Sequence, residues 1–203
     1  MRTALITLFS VLLVDQVSKI AVKLGMYYNQ SLSVFGDWFF IRFIENPGMA
    51  FGMEFGGEWG KLALSLLRVV AVIAIGYYIF KLIKNGASKG FIVSLSLILS
   101  GAIGNIIDSL FYGLLFSKST PFEKAVFLPE DGGYTTFLQG KVVDMLYFPM
   151  FEGNFPDWFP IWGGEHFLFF SPIFNVADSA ITVGVALILI FQKRFQVHFD
   201  IKK

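Results

Sequence analysis

The sequence contains no cysteine and only two histidines in 203 residues. The absence of cysteine excludes disulfides, thiolate metal sites and a cysteine nucleophile. His166 and His198 lie too far apart in the chain to provide a metal-ligand spacing, and no glycine-rich phosphate-binding loop precedes a helix. We therefore expect the protein to use neither a metal nor a cofactor.

Charged residues are also few, at 15% of the chain, and the net charge is only +1. No long basic run is present, which argues against a nucleic-acid partner. Hydrophobic residues, in contrast, make up 55% of the sequence and include 25 phenylalanines. This fraction exceeds the ~45–50% typical of soluble domains and indicates a membrane protein.

Four apolar segments predict four transmembrane helices, because about 20 apolar residues cross a bilayer. Their approximate bounds are 3–24, 62–83, 91–116 and 172–192. The first segment could alternatively be a cleaved signal peptide, but Asp15 and Gln16 stand where a cleavage site requires small residues. We expect one membrane domain over residues 1–203, mainly α-helical, with outer loops at about 25–61 and 117–171.

The two outer loops differ in composition from the apolar segments. Trp38–Phe43 is a strand-like cluster between glycine, asparagine and proline breaks. Asn46-Pro47-Gly48 is a turn signal. The second loop is rich in tryptophan and phenylalanine, as is typical of an aromatic belt at the membrane interface.

The distribution of basic residues predicts the orientation in the membrane. The chain ends and the loop between the second and third segments carry Arg2, Lys81, Lys84, Lys89, Lys193, Arg194, Lys202 and Lys203. In the loop 117–171, acidic residues outnumber basic residues seven to three. The positive-inside rule therefore predicts cytoplasmic termini and two long loops on the outer side.

Four aspartates from separate segments are predicted to meet near the outer face of the membrane. At ~1.5 Å per helical residue, Asp15, Asp108 and Asp178 approach the outer leaflet within their helices, and Asp144 lies in the outer loop. A carboxylate in the hydrocarbon region costs at least ~2.5 kcal/mol. These groups are therefore expected to share one polar site.

Two asparagines and a lysine accompany these acids. Asn105–Asp108 and Asn175–Asp178 repeat one spacing, which would place each pair on one helix face. Lys19 follows Asp15 by four residues, the favourable order for a helical ion pair. This pair could simply neutralise itself, and the asparagines could form a structural hydrogen-bond network between helices. The alternative is that all of these groups brace one functional site.

Paired carboxylates are the chemistry that remains after these exclusions, and we predict Asp144 and Asp178 as the catalytic pair. Repulsion between close carboxylates separates their pKa values, so that one can activate a water while the other donates a proton. The pair would titrate as a unit.

Two other classes of protein could use the same residues. A small proton-coupled transporter would need a polar path through both leaflets, whereas residues 92–97 and 185–190 carry no polar group beyond Ser94 and Ser96. A structural scaffold with a self-satisfied polar network would tolerate asparagine in place of its aspartates.

Five sequence blocks, taken together and in this order, resemble the signal peptidase II (lipoprotein signal peptidase) family. The blocks are VDQVSK (14–19), ENPGMAFG (45–52), SGAIGNIID (100–108), VVDM (142–145) and FNVADS (174–179). The resemblance implies an aspartic endopeptidase of bacterial inner membranes, with four transmembrane helices, a small outer β-cradle and a short outer helix. Trp38–Phe43 would contribute to the cradle.

The resemblance also implies a substrate and a set of site residues. Family members remove the signal peptide from prolipoproteins, cutting before a cysteine that carries a diacylglyceryl group. Prolipoproteins and membrane lipids are thus the expected partners, and we expect a monomer. Asp144 and Asp178 match the catalytic dyad. The positions that line or support the site are matched by Asp15, Lys19, Asn46, Gly48, Gly101, Gly104, Asn105, Asp108 and Asn175.

The chain departs from the family pattern in two respects. Ser109 stands where the family usually has an arginine, directly after the aspartate of its third block. Another cation could replace that arginine, and Lys141 is one possibility. The segments 117–139 and 150–165 are longer than the family core needs and are interpreted as insertions in the outer subdomain.

Overall fold

The computed structural model describes residues 1–47, 57–169 and 172–196. Its main helices are α1 (Arg2–Gly25), α2 (Gly57–Lys84), α3 (Lys89–Ile107) and α4 (Val176–Ile190). The third helix continues as a π-helical turn, Asp108–Tyr112, and a last turn, Gly113–Leu115. A short helix, Gln192–Gln196, follows α4.

Within the described residues, three helices are long and apolar enough to cross a membrane: α1, α2 and the continuous third helix through Leu115. The fourth, α4, is apolar but has 15 residues. It starts four residues later than the predicted segment, because Asn175 caps its first turn. The prediction of a mainly helical membrane fold is thus confirmed at the level of three to four apolar helices, and the count of four spans stays a prediction.

Close approach of α3 to α1 and α4 depends on two glycines. A methyl group at Gly101 would collide with the Ala177 carbonyl oxygen of α4. A methyl group at Gly104 would lie 2.6 Å from Oδ2 of Asp15 in α1. Glycine at these positions therefore permits contacts that bring the polar groups of three helices together.

We expect Gly101→Ala to destabilise the protein by about 1–3 kcal/mol, because the new methyl group overpacks the contact between α3 and α4. Gly76→Ala is the matched control: a methyl group at Gly76 in α2 meets only one side-chain atom, at 4.0 Å. Thermal unfolding in detergent measures both. Equal stabilities for the two variants would contradict the packing argument.

The strands form a four-stranded antiparallel sheet in the order β1-β2-β3-β6 and a separate hairpin of β4 and β5. Their bounds are β1 Ser31–Phe35, β2 Phe39–Asn46, β3 Val142–Tyr147, β4 Phe151–Asn154, β5 His166–Phe169 and β6 Ile173–Phe174. The predicted small sheet is confirmed. The predicted strand at Trp38–Phe43 is shifted, because Trp38 belongs to the turn between β1 and β2.

Within the connection 117–171, the structure places Asp144 in strand β3, opposite Ile44 of β2. Its flanking residues, Val143 and Met145, belong to the hydrophobic core. Asp144 faces the other side of the strand from these neighbours, because side chains alternate along a strand. The carboxylate is thus carried by a strand that pairs with a neighbour on each side, β2 and β6.

The segment 117–139 packs onto the end of the third helix rather than forming a separate unit. Backbone N–H groups in and just after it donate to carbonyls of the helix end and its C-cap, Phe116, in the pairs Leu128–Leu115, Tyr134–Phe116, Thr135–Gly113, Leu138–Leu110 and Gly140–Ser109. The last carbonyls of a helix have no partner within the helix. This segment therefore completes the hydrogen bonding of the π-helical turn and the turn that follows it.

Candidate active site

Lys19 is the centre of a fully buried polar cluster between α1 and α3. Its ammonium lies 3.0 Å from Asp15 Oδ2 and 2.8 Å from Asp108 Oδ2, and it donates to Asn105 Oδ1 at 2.8 Å. Asp15, Lys19 and Asp108 are each 0% exposed. The three contacts match the three donors of an ammonium group. The pair of Asp15 and Lys19 is therefore part of a larger cluster rather than a self-contained helical ion pair.

The two aspartates of this cluster also hold neighbouring elements. Asp15 Oδ1 accepts a hydrogen bond of 2.8 Å from the backbone N–H of Ala177, in the first turn of α4. A carboxylate is favourable there, because the N-terminus of a helix carries partial positive charge. Asp108 Oδ2 accepts from the backbone N–H of Val143 in β3 at 3.2 Å. The cluster thus fixes the two elements that carry Asp178 and Asp144.

Three asparagines bind the carboxylates of Asp144 and Asp178, and two of them, Asn105 and Asn175, connect the pair. Asn175 Nδ2 donates to Asp144 Oδ1 at 2.7 Å and to Asn105 Oδ1 at 3.1 Å. Asn105 Nδ2 donates to Asp178 Oδ1 at 2.8 Å, and Asn46 Nδ2 donates to Asp144 Oδ2 at 3.1 Å. The two carboxylates predicted as a pair therefore share one hydrogen-bond network.

The spacing of Asn175 and Asp178 has a local cause at the start of α4. Asn175 is the N-cap, and its Oδ1 accepts from the backbone N–H of Asp178 at 2.9 Å. Asp178 Oδ2 in turn accepts from the backbone N–H of Asn175 at 3.4 Å. This reciprocal capping box satisfies two otherwise unpaired donors. It also points both side chains away from the helix and toward Asp144 and Asn105.

The two carboxyl groups of the pair lie in different surroundings. Asp144 is only 3% exposed, whereas Asp178 is partly exposed. Burial raises the pKa of Asp144 from its ordinary 3.8 to about 7, and the Asp178 carboxylate adds to the effect. Hydrogen bonds from Asn46 and Asn175, and the charge of Lys19, act in the opposite direction. The protonated form of Asp144 is therefore substantially populated at neutral pH.

The position of the missing family arginine is filled without a charge. Ser109 is buried, and its hydroxyl donates to the Asn105 carbonyl oxygen at 3.0 Å. Lys141, the possible replacement, has its ammonium 3.6 Å from Glu45 Oε2. Arg68 of α2 interacts electrostatically with Asp178. Of these two basic residues, Arg68 rather than Lys141 thus acts on the pair, in addition to the charge of Lys19 on Asp144.

Sequence reasoning missed two members of the buried cluster, Gln16 and Tyr112. Gln16 Nε2 lies 3.0 Å from both Asp15 Oδ2 and Asp108 Oδ1, and 3.2 Å from the Gly104 carbonyl oxygen. The Tyr112 hydroxyl donates to Gln16 Oε1 at 3.2 Å. An amide next to an aspartate in an apolar helix was the signal that could have identified Gln16.

Two other predictions about the site, the role of Gly48 and the absence of a metal, are not tested by the structure. Gly48 lies outside the described residues. Among the residues that are described, histidines, aspartates and glutamates form no group of three or more that could hold a metal ion. The absence of a metal requirement therefore stays a prediction, to be tested with a chelator.

The polar residues in the first half of α3 give no support to a transport path. Ser94, Ser96 and Ser100 each donate to the carbonyl oxygen four residues earlier in the same helix. These hydroxyl groups are thus satisfied within α3. In the described part of the chain, the connected polar network lies at the other end of this helix, around Asn105 and Asp108.

Comparisons with known proteins agree on one family. The family described as Signal peptidase (SPase) II matches residues 7–193. The chain is 52% identical over 184 residues to the lipoprotein signal peptidase of Porphyromonas gingivalis, covering 90% of this chain and 79% of that protein. It is 37% identical over 197 residues to the lipoprotein signal peptidase of Amoebophilus asiaticus, covering 94% and 77%.

Among solved structures, a bacterial membrane enzyme determined by the in meso method at 1.9 Å resolution has a TM-score of 0.63 to this chain. The two share 26% sequence identity, over 95% of this chain and 93% of that one. The match thus extends over nearly the whole chain. The chain belongs to the signal peptidase II family of bacterial multi-pass membrane proteins and is an aspartic endopeptidase.

Proposed function

We propose that the protein removes the signal peptide from diacylglyceryl-modified prolipoproteins by cutting before the lipidated cysteine. One observation carries the proposal: Asp144 and Asp178, unequal in exposure, share a network of three asparagines. Two carboxyl groups in unequal surroundings can divide the roles of general acid and general base in peptide hydrolysis.

The reaction follows from this asymmetry. Asp178, the more exposed group, takes a proton from a water molecule that attacks the scissile carbonyl carbon. The protonated form of Asp144 donates to the carbonyl oxygen as the tetrahedral intermediate forms. The intermediate then collapses: one of its hydroxyl groups returns a proton to Asp144 as the carbonyl reforms, the peptide C–N bond breaks, and the proton held by Asp178 passes to the leaving amine. No covalent enzyme intermediate forms, and neither a metal nor a cofactor takes part.

The other polar residues orient this pair. Asn46 and Asn175 hold Asp144, and Asn105 holds Asp178. Asp15, Lys19 and Asp108 support the helices beneath them, and Gly101 and Gly104 let those helices approach. Gly48 is assigned to the site by the resemblance alone.

The enzyme is proposed to act as a monomer in the bacterial inner membrane. Both termini would lie in the cytoplasm, and the dyad would lie near the outer leaflet. A lipidated substrate could then enter from the side while its acyl chains stay in the bilayer. Comparing cleavage of a diacylglyceryl-modified prolipoprotein with cleavage of its unmodified form tests this substrate class. Equal rates for the two forms would contradict it.

The pH dependence of cleavage should report the acid role of Asp144. Because its pKa is raised to about 7, the rate is expected to fall as pH rises through about 7 and the donor proton is lost. Initial rates measured from pH 5 to pH 9 in detergent check this expectation. A rate that stays constant or rises across neutrality would exclude a protonated Asp144 as the donor.

Stability should depend on the same group. The ordinary aspartate pKa of about 4 applies in the unfolded chain, so ionisation there favours unfolding as pH rises from about 4 to about 7. Above the folded-state pKa the penalty is constant. Relative to Asp144→Asn, the wild-type thermal midpoint is expected to decline over this interval and then level off.

A further inference from the structure

A second buried polar cluster lies one helical turn beyond Lys19, and the proposed chemistry does not use it. Lys23 is fully buried, although it is the last lysine of α1. Its ammonium lies 2.5 Å from Glu45 Oε1 and 3.1 Å from the hydroxyl oxygen of Ser119. The Ser119 hydroxyl also donates to Glu45 Oε1 at 3.0 Å. We call these three residues the Lys23 clamp.

The segment 117–139 builds much of the pocket around this lysine. It supplies Ser119 and also Tyr134, whose ring centroid lies 4.9 Å from the Lys23 ammonium. Phe116 and Phe43 present their rings to the same ammonium at 5.5 and 6.0 Å. Aromatic faces stabilise a desolvated cation. A cation of this kind is retained in an apolar interior only with such partners.

The same segment is tied to the strand that carries Asp144. The Tyr134 hydroxyl accepts a hydrogen bond of 2.7 Å from the backbone N–H of Lys141, one residue before β3. The Lys141 side chain lies 3.6 Å from Glu45 Oε2. The clamp region therefore contacts both α1 and the start of β3.

Glu45 connects the clamp to the proposed dyad. Glu45 and Asn46 are adjacent in β2, so their side chains point to opposite faces of the strand. Glu45 faces the core and binds Lys23, whereas Asn46 donates to Asp144 Oδ2 at 3.1 Å. Fixing the backbone at Glu45 therefore also fixes the Cα position from which the Asn46 side chain extends.

We propose that the Lys23 clamp positions Asn46 against Asp144, and that the segment 117–139 serves to build this clamp. Lys23, Glu45 and Ser119 are positioning residues, since they act on the dyad through β2. The proposal rests on the proposed function for its catalytic consequence, but its geometry can be tested without catalysis. It also assigns a role to a segment that sequence reasoning could only describe as an insertion.

The decisive variant is the double substitution Lys23→Met/Glu45→Met. It removes both charges together, so no unpaired charge stays buried, and replacing a buried ion pair by apolar groups is often tolerated. The matched control is Lys118→Met/Glu123→Gln, which removes two exposed charges of the same segment. The clamp variant is expected to fold but to lower kcat by about 10-fold to 100-fold, as small misplacements of catalytic groups do. The control is expected to leave kcat unchanged.

A second readout separates positioning from a merely structural role. The hydrogen bond from Asn46 favours the Asp144 carboxylate, so its loss should raise the pKa of Asp144. The pH at which the thermal midpoint levels off, relative to Asp144→Asn in the same background, reports this pKa. It should move upward in the clamp variant, and we expect the same upward shift in Asn46→Ala. The groups that act on Asp144 from other elements, Asp178, Asn175 and Lys19, are unchanged in both variants.

A double-mutant cycle completes the test. Asn46→Ala should lower kcat in the wild type but have little further effect in the clamp variant, because Asn46 is already displaced there. The positioning role of the clamp would be contradicted if the pKa of Asp144 were unchanged in the clamp variant. It would also be contradicted if Asn46→Ala lowered kcat equally in both backgrounds. If instead the wild type failed to cleave, or Asp144→Asn cleaved normally, the proposed function would be contradicted. The titration of Asp144, measured through the thermal midpoint, would still test the clamp.

Discussion

Asp144→Asn and Asp178→Asn are each expected to lower kcat by about 100-fold to 10,000-fold, the range attributed to general acid or base groups. Asparagine preserves the shape of each side chain and much of the hydrogen-bond network with Asn46, Asn105 and Asn175. What it removes is the ability to accept or donate the reacting proton. The measurement is cleavage of a diacylglyceryl-modified prolipoprotein by purified enzyme.

The double variant should be only slightly less active than the less active of the two single variants, because the effects of groups that act as a unit are not additive. Asp131→Asn, which changes an exposed carboxylate in the segment 117–139, is the matched control and should cleave at the wild-type rate. Full cleavage by either dyad variant would favour the structural-scaffold alternative, in which the acids only satisfy a polar network.

Lys19→Met is expected to destabilise the protein by about 3–5 kcal/mol, the cost of removing one partner from a buried ion pair. Asp15 and Asp108 would be left at 0% exposure without the ammonium that now lies within 3.0 Å of each. Methionine keeps the length of the side chain, so the effect should come mainly from charge and hydrogen bonding. The thermal midpoint in detergent measures the loss.

Two comparisons make the Lys19 prediction specific. Lys81→Met, at an exposed position of α2, should change the thermal midpoint little. Adding Asp108→Asn to Lys19→Met should recover part of the lost stability, because it removes one of the two unpaired charges. A stable Lys19→Met variant, or a double variant less stable than the single one, would contradict the proposed balance of charges.

The convergence of the acids could be predicted from the sequence because polar groups in apolar helices are costly. Asp15, Lys19 and Asp108 stand out against their apolar neighbours, and helical rise places them at comparable depths. The structure confirms that these residues meet. It also resolves the ion-pair alternative, since Lys19 contacts both aspartates.

The position of Asp144 could not be predicted in the same way. VVDM is too short to establish a period of two, and the residues that pair with it in β2 lie about 100 positions earlier in the chain. The strand becomes visible only through this long-range pairing. The asymmetry in exposure between Asp144 and Asp178, on which their proposed roles depend, is likewise a property of the folded protein.

The Lys23 clamp could not be predicted from the sequence either. Lys23 lies four residues after Lys19 and thus on the same helix face, yet a lysine near the end of an apolar helix ordinarily reaches toward water. Its burial depends on Glu45 and Ser119, which lie 22 and 96 residues away in the chain. The departure from the family pattern at Ser109 is similar, because only the fold brings Arg68 within electrostatic reach of Asp178.

The most direct test of the account is the cleavage reaction itself, run in ¹⁸O-labelled water with a chelator present and analysed by mass spectrometry. Purified wild-type enzyme should cut a diacylglyceryl-modified prolipoprotein immediately before the lipidated cysteine. One labelled oxygen should appear in the new carboxyl group of the signal peptide, at an undiminished rate. Loss of cleavage on chelation, a cut at another bond, or no cleavage by folded enzyme would contradict a metal-free aspartic mechanism on this substrate.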